Sequence, residues 1–192
     1  MRAALDLLYR ASGALAAALL VAIGIIVLLQ VGANLIDKMV GWAGGTPPGL
    51  LIPSYSEFAG FFLAAASFLA LAYTLRAGDH IRVSLLIHHL PPRARRLIEL
   101  WCLAVAGSLS GYFAWHAFGL VLDSLRFNDL SPGIVPVPLW IPQAPVAVGL
   151  TVLTVALADD FFRVLRGATP TYEEGAPGVL ADSAPPPASG AD

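Results

Sequence analysis

Four apolar runs divide the chain, at residues 11–36, 58–75, 100–122 and 141–158, and none of them contains Asp, Glu, Lys or Arg. A helix rises about 1.5 Å per residue, so even the shortest runs reach about 27 Å, close to the thickness of a hydrocarbon core. The pattern predicts four transmembrane helices, at about 11–36, 55–75, 97–122 and 141–160, forming one membrane domain over residues 1–166. Residues 1–10 form a short amphipathic lead with Arg2, Asp6 and Arg10. The first run is longer than the h-region of about 7–15 residues in a signal peptide. It is therefore expected to be a retained helix, although Val31-Gly32-Ala33 would suit a cleavage site. Residues 167–192 hold Pro, Ala, Gly and acid without periodicity, and are expected to be a disordered tail.

The segments between the runs carry the punctuation. Residues 37–53 are rich in Gly and Pro, which stop helices and favour turns. Ser54-Tyr55-Ser56-Glu57 then has the form of a capping box, with Ser54 as N-cap and Glu57 at the third helical position. Between the second and third runs lies a charged hairpin, Arg76 to Arg96. Gly78 suits a helix-ending turn there. Residues 81–90 alternate apolar positions with Arg82, His88 and His89, as in a short amphipathic segment lying in the interface. Pro91-Pro92 ends it, and Arg93, Arg95 and Arg96 follow at the head of the third helix. Pro142 and Pro145 stand near the start of the fourth, where proline costs least.

Composition changes the picture in one respect: it excludes a soluble domain. Hydrophobic residues make up 57% of the 192 and charged ones 12%, against about 25% charged in ordinary globular domains. The net charge of −2 leaves no basic face to neutralise phosphates, so no nucleic-acid partner is expected. The partner implied by the runs themselves is the lipid bilayer.

The distribution of charge gives an orientation. Arg2, Arg10, Arg76, Arg82, Arg93, Arg95, Arg96, Arg163 and Arg166 fall at one end of the predicted helices, against Lys38 and Arg126 at the other. The positive-inside rule then places both termini and the hairpin in the cytoplasm. Trp42, Tyr55 and Trp140 fall near the opposite boundary, as an aromatic belt would.

Chemistry is sparse. Ionisable groups inside spans usually mark function, and these spans contain only His116. A bis-His haem would need two ligands from facing helices. His88 and His89 are adjacent and point to different sides of any helix. The single cysteine, Cys102, excludes an internal disulfide and a cysteine metal site. No nucleophile–base pair or phosphate loop is present, so neither enzyme nor cofactor is expected. Packing signals are clearer. Gly107 and Gly111 form a small-xxx-small pair, and Ala104 and Ala114 extend it, a pattern that lets another helix approach. Gln30 and Asn34 share a helical face, and Asp159 and Arg163 are spaced for a surface ion pair.

One resemblance sharpens this. Glu57, an alanine- and phenylalanine-rich span, Arg76, and then Gly78-Asp79-His80-Ile81-Arg82-Val83 resemble the small membrane subunit of tripartite ATP-independent periplasmic (TRAP) transporters, the Q or DctQ-like family. Val135-Pro136-Val137-Pro138-Leu139-Trp140, with Pro145 and Gly149 beyond it, extends the resemblance, which covers about residues 10 to 165. Ser84 departs from it, since many members carry an acidic residue there. The resemblance implies a non-catalytic scaffold in a bacterial inner membrane, part of a sodium-driven secondary transporter of organic acids. Its partners would be a large M subunit, which holds the sodium and substrate sites, and a periplasmic substrate-binding P protein. It implies further that Gly107 and Gly111 pack against a helix of this chain or of M. Asp79, His80 and Arg82, among the hairpin's charged residues, would anchor it to lipid or to M. Arg126, Asp129 and Trp140 would face the periplasmic side. The alternatives are an independent homo-oligomeric carrier or channel and a four-helix membrane redox protein.

Overall fold

The first run is helical, but the helix that contains it extends well past both predicted ends. In the computed structural model, which describes residues 2–46, 48–50, 53–77 and 91–167, α1 spans Arg2–Trp42, α2 Tyr55–Ala77, α3 Pro92–Phe127 and α4 Trp140–Leu165. All four are long and apolar enough to cross a membrane. The fold is therefore an all-helical, four-span membrane protein. The only extended pairing among the described residues is an isolated bridge between Leu130 and Pro138.

The 41 residues of α1 make a rod about 60 Å long, twice what the hydrocarbon requires. A loop is expected from Asp37, yet nothing there stops a helix: residues 37–42 contain no proline, and a lone Gly41 is tolerated. The helix ends at the glycine that takes positive φ, Gly44 (φ 77). Its N–H bonds the carbonyl of Gly41, while the Gly45 N–H reaches back to Val40. This is the paired-bond ending that a left-handed residue makes possible. Asp37 then accepts the Gly49 N–H at 3.2 Å, folding the following segment back.

In space the helices follow the order α1, α2, α4, α3. α1 packs on α2, α2 on α4 and α4 on α3, while α1 only brushes α4. Bilayer chains have little hydrophobic force between helices, so close approach of small residues and buried hydrogen bonds must hold them. The α2–α4 seam has this composition. Ala72 and Ala147 are fully buried, with Ala65 and Ala156 nearly so. Gly149 meets the α2 backbone directly: a Cβ there would stand 2.6 Å from the Phe68 carbonyl oxygen. Between α1 and α2, Gly13 receives the Tyr73 ring, 2.7 Å from where a Cβ would be, and the buried Ser12 hydroxyl donates to the Leu69 carbonyl. Gln30, 3% exposed, donates to Asn34 at 3.2 Å along the same helix face.

The interfacial segment at 81–90, the turn at Gly78, and the tail from residue 168 lie outside the described residues, as do Asp79, His80, Arg82 and the side chain of Arg93.

Candidate functional site: two ends and two outer faces

The distal loop between α3 and α4 is tightly built. Asn128 closes α3 in the left-handed conformation, its N–H bonded to the Ser124 carbonyl. Ser131 exchanges bonds with Val137, accepting its N–H at 3.1 Å through Oγ and donating its own N–H to the Val137 carbonyl at 2.8 Å. The Leu139 N–H donates to the Asp129 carbonyl at 2.9 Å.

This loop is clipped to the start of α2, and the clip corrects the expected capping box. Ser54 takes positive φ (57), and its hydroxyl accepts the Val135 N–H at 3.0 Å rather than an amide of its own helix. The first-turn amides of Glu57 and Phe58 bond the Ser54 carbonyl instead. Glu57 turns toward the loop: its carboxylate fills the space that a Cβ on Gly133 would need, with Oε2 buried and without a hydrogen-bond partner. Ser54 and Glu57 therefore join two loops, a role that sequence spacing cannot reveal because Val135 and Gly133 are far away in the chain. Arg126 and Asp129 are exposed beside this clip, and Trp140 is 38% exposed.

At the opposite end, three of the hairpin arginines, Arg76, Arg95 and Arg96, have partners inside the chain. Arg76 pairs with Asp6 of α1 and lies 4.8 Å above the Tyr9 ring. Arg95 pairs with Glu99 one turn on, at 3.5 Å. Arg96 donates to the Leu165 carbonyl at 2.8 Å, a cation on the final carbonyls of α4, where the helix dipole favours it. The acid that the fold buries at this end is Asp160, 2% exposed, although sequence spacing singles out its neighbour Asp159.

The glycine pair of α3 faces α4 within the chain. A Cβ on Gly107 would stand 3.8 Å from Leu157, and one on Gly111 3.5 Å from Thr154. Ala114 is buried. Ser110 continues the seam, donating to the Leu150 carbonyl at 3.3 Å and accepting from Thr154 at 3.0 Å. Ala104 instead joins Trp101, Val105, Ser108, Leu109 and Tyr112 around an open groove on the outer side of α3. Tyr112 stacks edge-on with His116, 4.4 Å between ring centres.

The outer helices are left largely uncovered. In the most apolar stretch of each helix, 11% of α1 and 17% of α3 is buried, against 28% of α2 and 33% of α4. A family model for the DctQ component of tripartite ATP-independent periplasmic transporters matches residues 48–167, well over half of the chain. The chain belongs to this family. No curated protein and no solved structure matches it. DctQ proteins are transporter components and not enzymes, and a tripartite transporter has further components beside this one. The match includes the α2–α4 seam, the distal clip and all of α3, and it begins after α1 has ended.

Proposed function

We propose that this DctQ chain is a non-catalytic scaffold that packs against the large M subunit and helps seat the P protein for sodium-driven uptake of organic acids. What supports the reading, beyond family membership, is the pair of outer helices. α3 exposes Trp101, Val105, Leu109 and Tyr112 along one stripe, and polar Ser108 and His116 are exposed beside it. Lipid gives polar side chains no partner, whereas a neighbouring helix can. The M subunit is the proposed occupant of this stripe.

In this reading both termini are cytoplasmic and the membrane is the bacterial inner membrane, as the lysine and arginine distribution favours. The Ser54–Val135 clip then stands on the periplasmic side and presents Arg126 and Asp129 toward P. The sodium sites belong to M, and no cofactor is assigned to this chain.

The test is affinity capture of the full chain from its native membrane in mild detergent, followed by mass spectrometry. Recovery of one large polytopic partner at equal stoichiometry is expected. Recovery of this chain alone, or only with copies of itself, overturns the scaffold role and favours an independent carrier.

A further inference from the structure

Where α1 and α2 meet, just outside their uncharged stretches, a cleft of about 330 Å³ is lined by Asp6, Tyr9, Arg10, Tyr73, Arg76 and Ala77. Asp6, Tyr9 and Arg10 immediately precede the apolar run 11–36, and Arg76 and Ala77 follow the run 58–75. The cleft therefore lies at the depth of lipid headgroups. We propose that it binds the headgroup of an ethanolamine-type phospholipid, with the phosphate held by Arg10 and Arg76 and the ammonium by Asp6.

Three observations carry this beyond the presence of a basic residue near a membrane. First, the cations are held differently. Arg76 is fixed by Asp6 and by the Tyr9 ring, yet one contact to Asp6 occupies only part of a guanidinium with five N–H donors. Arg10 is exposed and makes no ion pair among the described residues. Together they offer a phosphate one anchored and one exposed fork.

Second, Tyr9 is 2% exposed, and its hydroxyl is buried without a hydrogen-bond partner. A buried donor left unmade is costly, and the residue that carries it lines this cleft. Third, Asp6 keeps half of its side chain exposed, at 47%, and its second carboxylate oxygen makes no hydrogen bond among the described residues. A cleft that only collected anions would be weakened by that carboxylate. A zwitterionic headgroup with an N–H-bearing ammonium uses both signs. Tyr73, seated on Gly13, fixes one wall.

The headgroup chemistry sets the test. The full chain in mild detergent is incubated with equal phosphatidylethanolamine, phosphatidylcholine and phosphatidylglycerol, and retained lipid is read by native mass spectrometry. Ethanolamine lipid should be retained about five-fold over the other two, because choline has no N–H to donate and glycerol no positive charge. Arg10→Gln, at an exposed position, should lower retention of all three with unchanged elution on size exclusion. Asp6→Asn should remove the preference for ethanolamine over glycerol lipid. Equal retention of the three lipids by the unaltered chain overturns the proposal, as does Arg10→Gln retaining as much as wild type. Full displacement by millimolar inorganic phosphate would reassign the cleft to free anions.

Discussion

The inner helices α2 and α4 differ from the outer helices α1 and α3 in almost every property that a bilayer chain can vary. The inner pair has 23 and 26 residues, about one membrane thickness each, and meets through alanine and glycine. The outer pair has 41 and 36 residues and turns large side chains outward, such as Leu28 at 72% and Trp115 at 79% exposure. In water such surfaces would collapse on each other. In lipid they need not, so the chain can assign its own cohesion to one pair and its external surface to the other.

The strongest challenge to that division is a pair of glycine substitutions. Gly149→Val puts a branched side chain where the Phe68 backbone already stands at 2.6 Å from a bare Cβ. Backbone cannot rotate away, so α2 and α4 must separate. A loss of about 3 kcal/mol or more is expected, read as a lower unfolding midpoint and aggregated material on size exclusion. Gly24→Val on α1, where no atom lies within 4 Å of the new Cβ, should leave both readouts unchanged. Equal damage from the two variants would end the distinction between inner and outer helices.

Next in size is the α3–α4 seam. The distances at Gly107 and Gly111, 3.8 and 3.5 Å to Leu157 and Thr154, are ordinary contacts that admit alanine. Leucine at both positions overpacks the seam, at about 1–3 kcal/mol each. Loss of partner recovery in that double variant should therefore accompany a lowered unfolding midpoint of the chain itself. An unchanged midpoint with lost recovery would place these glycines at a subunit interface instead.

The reciprocal experiment uses the outer face of α3. Trp101→Ala with Tyr112→Ala removes two exposed side chains, so the isolated chain should keep its midpoint within about 0.5 kcal/mol. Capture of the large partner should fall sharply, since buried aromatic anchors dominate interfaces. Retained capture would move the partner to α1 or to the far end.

These expectations also show where sequence was sufficient. The number and order of spans followed from four uncharged runs, because hydrocarbon excludes charge so strongly that pattern determines crossing. The glycine pair of α3 was visible as a packing motif, but not its partner: a small-xxx-small stripe fits an internal and an external helix equally well. Gly149 carries part of the family resemblance, yet its packing role is not legible in the sequence, because a lone glycine has no periodicity and only the facing backbone of Phe68 supplies that role. Charge places the end of the first span at Asp37 because it signals the edge of lipid, whereas the helix stops at a left-handed glycine, Gly44. Membrane boundary and helix boundary are separate quantities here.

The smallest effect concerns the distal clip. Ser54→Ala deletes the acceptor of the Val135 N–H and should cost about 1 kcal/mol, too little to move capture or elution. The informative readout is amide exchange at Val135, which should quicken while the Ser131 amide, bonded to the Val137 carbonyl, keeps its protection. Gly133→Ala acts on the same clip from the other strut. Its methyl displaces the Glu57 carboxylate, which can swing out on a flexible stem, so α2 should persist while the loop loosens. If either change instead lowered the unfolding midpoint as much as Gly149→Val, the distal loops would belong to the cohesive part of the molecule, and the division into a self-packed centre and an outward-facing remainder would have to be redrawn around the clip.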